Sequence, residues 1–151
     1  LLDELACTAT PLVIATLEDI EAGVEPTPQS AEGVTIAPQI HPGDVRIAVT
    51  ADAEEIDHLV RGASPAPGAW AKLDDKRFKI LQTRFVETGD DVPNSVATAQ
   101  PGQLVATRKK LFLGTGSQPL ELLQVQAFGK KAINGTDWAR GAHIDAGTRL
   151  R

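Results

Sequence analysis

Two stretches of this chain alternate apolar and polar residues and then change phase midway. In Leu120–Lys131, Leu120 and Leu122 share one phase, while Leu123 and Val125 fall on the other. In Lys76–Val86, Phe78 and Ile80 share a phase, and Leu81 and Phe85 take the opposite one. A strand keeps a single buried face only while its period of two is unbroken. A switch therefore demands a bulge or a coil, as where strands turn the corner of a small barrel. The first stretch ends on Gly129, a residue free to turn the backbone sharply, which leaves Lys130 and Lys131 projecting from a rim.

The surrounding segments fit that frame. Pro65-Ala66-Pro67-Gly68 makes a rigid turn that delivers Trp70 into a strand, where a core anchor is the expected role for one of only two tryptophans. Asp74-Asp75 turns into Lys76–Val86. A polar surface loop is expected over Asp90–Gln100, then strands over Gln103–Thr107 and Lys110–Gly114, joined by Arg108-Lys109-Lys110. Val45–Val49 reads as a short strand. Thr50 or Asp52 caps a helix running to about Gly62, with Ile56, Leu59 and Val60 buried and Glu54, Glu55 and Asp57 exposed. Thr136 or Asp137 caps a last short helix containing Trp138. The fold class is mainly β: a small antiparallel OB-like barrel over 45–151 with flanking short helices.

The first forty residues read differently. Residues 1–8 resemble the end of a helix. Thr10-Pro11 signals a new start, and Leu12, Val13, Leu17 and Ile20 then follow at helical spacing as far as Gly23. Residues 24–44 hold Pro26, Pro28, Pro38 and Pro42 with Gly33 and Gly43, the composition of a semi-extended linker. The apolar stripe over 1–23 finds no partner in that linker, so it reads as the last helix of a preceding domain.

Charge divides the same way. Residues 1–75 carry three basic residues against fourteen acids, and residues 76–151 carry twelve against six, inside a net charge of −5. A basic half on a folded domain points to a polyanion partner. The candidate contacts are Lys130 and Lys131, then Arg108, Lys109, Lys110, Arg77, Lys79 and Arg84 by clustering of charge. The longest apolar run, Leu12–Ala15, is too short to span a bilayer. A single cysteine, Cys7, excludes an internal disulfide framework and fits a reducing cytoplasm. No phosphate loop, paired cysteines or nucleophile elbow occurs, and His41, His58 and His143 are scattered. Glu54 and His58 lie one turn apart without a third ligand, so no metal site is expected.

Taken in order, several motifs resemble the C-terminal part of the methionyl-tRNA formyltransferase family. They are Leu17-Glu18-Asp19-Ile20-Glu21-Ala22-Gly23, Val34-Thr35-Ile36-Ala37, Val45-Arg46-Ile47 and Pro65-x-Pro67-Gly68-Ala69-Trp70. Pro101-Gly102, Leu122-Leu123-x-Val125-Gln126, Gly129-Lys130-Lys131, Asp137-Trp138 and Gly147-x-x-Leu150 complete the series. The chain departs from the family pattern at Ala48-Val49 and at Gly62-Ala63-Ser64. The resemblance implies an enzyme that moves a formyl group from 10-formyltetrahydrofolate to the amino group of methionine on initiator tRNA. It also implies that the catalytic residues and the folate pocket lie in an upstream α/β domain, with none in this stretch. Residues 1–23 would be the last helix of that domain, 24–44 the linker and 45–151 the barrel that holds tRNA, with Lys130 and Lys131 at the family's Gly-Lys-Lys position. Two other readings remain open. One is the accessory barrel of a related folate-dependent enzyme acting on a sugar nucleotide or on formyltetrahydrofolate. The other is a freestanding module that binds oligonucleotide or oligosaccharide.

Overall fold

A computed structural model describes residues 2–87 and 92–151. The chain forms two compact units, Leu1–Pro38 and Gln39–Arg151.

The first unit contains one helix, α1 (Leu2–Glu21), which runs without a break through Pro11. Pro11 was expected to start a new helix. It removes only one hydrogen-bonded rung, and the turns on both sides supply the rest. The hydroxyls of Thr8, Thr10 and Thr16 each donate to the carbonyl four residues back. Leu12, Val13, Ile14, Leu17 and Ile20 are all exposed. Gly23, at φ +72°, ends the helix as expected, with the Val24 N–H donating to the Asp19 carbonyl.

The second unit is a curled antiparallel sheet flanked by short helices, an OB-like half-barrel. Its strands are β1 (Ala69–Leu73), β2 (Lys76–Phe85), β3 (Leu104–Ala106), β4 (Leu111–Leu113), β5 (Leu120–Gln126) and β6 (Ile133–Asn134). Their order is β1-β2-β5-β4-β3, with β6 also paired to β5. β1 and β2 form a tight hairpin because both turn residues, Asp74 and Asp75, adopt positive φ.

The expected phase switch is present on both long strands. Along β2 and β5 the pairs run Ile80↔Val125, Gln82↔Gln124 and Thr83↔Leu122, which leaves Leu81 extra on one strand and Leu123 extra on the other. The second bulge lets Leu120, Leu122 and Val125 all face the core despite their broken spacing. Phe78, Ile80, Leu104, Leu111 and Leu113 fill the interior with them.

The helices are α2 (Ala53–Ala63), α3 (Asn94–Ala97) and α4 (Gly135–Ala142). Several local expectations are corrected. Asp52 is the N-cap of α2 but makes no side-chain cap bond. The Ala53 N–H is instead taken by the Ser117 hydroxyl, 3.0 Å away. Asp57 is buried, because its carboxylate accepts from Thr83 Oγ1 at 2.6 Å and Arg61 Nε at 2.7 Å. Asn134, and neither Thr136 nor Asp137, caps α4 by accepting the Thr136 N–H. Val45–Val49 makes only a single parallel bridge, Arg46 to Trp70, though Val45 and Ile47 are buried as a strand would bury them. Within the expected surface loop, Asn94–Ala97 is a helical turn that buries Val96, and Asp90 and Asp91 lie outside the described residues.

The two sheet edges are bridged by residues 148–151. Leu104 N–H donates to the Thr148 carbonyl, Leu150 N–H to Gly102, and Lys72 and Arg151 exchange a reciprocal pair. Leu150 is buried beneath this ladder. Gly102, at φ +81°, admits the approach: a Cβ there would stand 2.5 Å from the Leu150 carbonyl. Asp145 sets up the segment by accepting from Thr148 Oγ1 at 3.0 Å and the Gly147 N–H at 2.9 Å. The Thr148 hydroxyl, followed by the Gly147 N–H, holds its carboxyl below the ordinary value. Because that pKa is lowered in the fold, the stabilising effect is present above the ordinary carboxylate pKa. It is lost as pH falls through the lowered one.

Candidate nucleic-acid interface

β5 leads directly into the lysine turn. The Lys130 N–H donates to the Ala127 carbonyl at 3.0 Å, and Gly129 takes φ +69°, which favours glycine. The Gln126 side-chain amide then donates to the Lys130 carbonyl at 2.8 Å. The chain returns as β6, pairing Ile133 with Val125, so Lys130 and Lys131 stand exposed on the loop of a pinned hairpin. Phe128, on the same turn, is 66% exposed.

Other candidate cations lie on β2 and on the β3–β4 turn. Lys79 on β2 lies opposite Gln126, and its stem passes within 3.1 Å of a Cβ placed on Gly68, so it is half-buried along its length. Arg108 and Lys109 are exposed on the β3–β4 turn, where Thr107 Oγ1 accepts the Lys109 and Lys110 N–H groups. The Thr136 hydroxyl donates to the Lys109 carbonyl at 2.8 Å. That bond ties the turn to the start of α4, three residues beyond Ile133.

The remaining expected contacts have other partners. Arg77 stacks on the Trp70 ring at 4.7 Å, and Arg46 lies 5.7 Å from the same ring. Trp70 is 8% exposed and its indole N–H donates to the Pro42 carbonyl, so it anchors the core as expected. Arg84, toward the opposite end of β2, makes two hydrogen bonds to the buried Glu121 carboxylate, at 2.7 and 3.0 Å. Lys110 Nζ approaches the same oxygen at 3.5 Å. The structure thus places Lys79 beside the Gln126 end of β5 that leads into Lys130 and Lys131. Arg108 and Lys109 lie on the β3–β4 turn with Lys110, which shares the Glu121 carboxylate with Arg84, and Arg77 is engaged by Trp70.

Sequence reasoning missed Phe128 and what lies beside the lysines. A recess of about 450 Å³ is lined by Ala127, Ile133, Trp138, Gly141 and Ala142, with Lys130, Lys131 and Asp137 also on its walls. Trp138 is held in place by Phe78, ring centroids 4.5 Å apart. The signal that could have found it is an apolar pair, Phe128 and Ile133, flanking two lysines where a solvated loop would be polar. Among the described residues, no three His, Cys, Asp or Glu side chains cluster as metal ligands. No helix among them is long and apolar enough to cross a membrane.

The second unit is a small OB-like half-barrel with exposed lysines on the β5–β6 turn. The chain belongs to the formyl transferase C-terminal domain family, whose model matches residues 39–143. It is 82% identical, over its whole length, to the methionyl-tRNA formyltransferase of Cutibacterium acnes, covering 48% of that protein. It is 44% identical to the methionyl-tRNA formyltransferases of Streptomyces coelicolor and Corynebacterium efficiens, over 99% and 96% of this chain and 46% and 45% of theirs. The chain therefore spans about half the length of the curated relatives it matches. Among solved structures, HypX from Aquifex aeolicus in complex with tetrahydrofolic acid shares the fold. It has a TM-score of 0.67 at 18% identity, over 87% of this chain and 22% of that one.

Proposed function

We propose that residues 45–151 are the tRNA-holding domain of a cytoplasmic enzyme that formylates methionyl-initiator tRNA, with 10-formyltetrahydrofolate as donor. In this reading residues 1–23 are the last helix of its catalytic domain and 24–44 the linker. Formyl transfer would be the work of residues outside this stretch, which by itself should show no turnover. The names of the relatives support the parent activity. The observation that carries the tRNA role is the exposed Lys130–Lys131 pair on a hydrogen-bonded turn, with Lys79 opposite the strand end that leads into it and Arg108 and Lys109 exposed on the β3–β4 turn. Arg77, Lys110 and Arg84 would contribute field more than contact, since each is already engaged.

Such a rim binds through phosphate charge and counterion release. Changing Lys130 and Lys131 together to Ala is expected to weaken tRNA binding at low salt. The slope of log affinity against log salt should become shallower by roughly 0.7–0.9 for each phosphate that the variant no longer neutralises. Initiator and other tRNAs should lose affinity alike, because phosphate contacts carry little sequence information. The melting temperature should stay where it was, since both lysines are exposed. Unchanged tRNA affinity and salt slope in the double variant would mean that the barrel serves as scaffold.

A further inference from the structure

We propose that the recess beside the lysine pair takes one unpaired nucleobase of an RNA strand, with the exposed Phe128 of the adjoining turn available to stack on a neighbouring base. The proposal rests on the tRNA-holding reading of the same rim and adds a selection for unpaired nucleotides. Three observations meet here. The recess, at about 450 Å³, falls in the range of about 300–1,000 Å³ typical of small-molecule sites. Its walls are largely apolar, with the Trp138 indole fixed against Phe78. Lys130 and Lys131 border it, placing cations where the phosphates flanking a seated base would run.

An unpaired nucleotide matches this chemistry: an apolar π face, an amide or amino edge, and a charged backbone. Base stacking on exposed aromatics is the usual way single strands are held, and it tolerates any base. Phe128 and Ile133, 66% and 41% exposed, supply apolar surface that solvated lysines alone do not need. Asp137 accepts from Arg140 at 2.8 Å and keeps acceptor capacity for an exocyclic amine. A base inside a duplex is stacked on both faces and cannot enter a recess, so paired RNA would meet only the lysines.

The test uses the 151-residue chain, a hairpin RNA with an unpaired loop, and a fully paired duplex of equal length. The wild-type chain should prefer the looped RNA by about fivefold or more, a modest stacking contribution. Trp138 emission should change with the looped RNA and not with the duplex. Gly141→Leu fills the recess: Gly141 is helical, and a Cβ there meets nothing within 4 Å. This variant should lose the preference while keeping duplex affinity and salt slope. Phe128→Ala, at an exposed turn position, should reduce the preference in the same way and guards against a folding effect of the leucine. Equal binding of both RNAs by the wild type would overturn the inference. So would a loop preference that survives Gly141→Leu, or a Gly141→Leu effect confined to self-association or to an apolar peptide. The rim reading fails separately, if changing Lys130 and Lys131 to Ala alters the binding of neither RNA.

Discussion

Removing Thr148–Arg151 is expected to leave the barrel barely folded. Four backbone hydrogen bonds join this segment to Lys72, Gly102 and Leu104, and each contributes about 0.5–1.5 kcal/mol net. Leu150, 2% exposed, adds about 2–5 kcal/mol, the usual cost of emptying a buried leucine site. Together these rival the whole stability of an ordinary domain, about 5–15 kcal/mol. Truncation also exposes the facing edges of β1 and β3, which then invite pairing with other chains. Leu150→Ala, which keeps the hydrogen bonds, should lose only the leucine's share. Thermal melts of the three chains check this ordering. A truncated chain that melts within a degree or two of the intact one would show that the ladder is dispensable.

Gly135→Ala is expected to destabilise the second unit by about 3 kcal/mol, against the trend for glycine in helices. Helix propensity favours alanine by up to about 1 kcal/mol. Packing decides against it, because a Cβ on Gly135 would stand 2.1 Å from the Leu122 carbonyl, a backbone atom with no room to move. Overpacking of this kind costs about 1–3 kcal/mol or more. Gly62→Ala is the matched control, since Gly62 lies in α2 with nothing within 4 Å of its Cβ position. Propensity alone acts there, so that variant should gain about 0.5–1 kcal/mol. Denaturant midpoints measured on both give opposite signs. Two changes of the same sign would mean that α4 moves off β5 freely.

Much of this was legible because it depends on local pattern. The broken alternation in Lys76–Val86 and Leu120–Lys131 required bulges, and Leu81 and Leu123 supply them. Gly129 announced a turn, and the lysines after it could only be presented by one. Trp70 after a proline-glycine turn was a core anchor, although its stacking with Arg46 and Arg77 depends on segments that composition does not connect.

What could not be read were polar groups whose partners lie far along the chain. Asp57 looks like one more exposed acid at the start of a helix, until β2 brings Thr83 against it. Glu121 alternates as a solvent-facing residue would, yet it is buried because Arg84 and Lys110 converge on it. The cap at the start of α2 is a serine from the β4–β5 connection. The recess is a product of the β5–β6 turn meeting α4, and neither segment alone shows a concavity.

The ladder between Lys72 and Arg151 has a kinetic consequence. The β1–β2 hairpin is closed by two residues and can form within microseconds, whereas the Lys72–Arg151 pair must bring together points about half the chain apart. Loop closure over such a span adds little to the final free energy but delays the contact until most of the sheet exists. The closing segment should therefore be unformed at the folding barrier. Leu150→Ala would then speed unfolding by nearly its full destabilisation and leave the refolding rate almost untouched, a φ-value near zero. Opening of this seam, rather than of the β2–β5 centre, would set how long a folded molecule lasts.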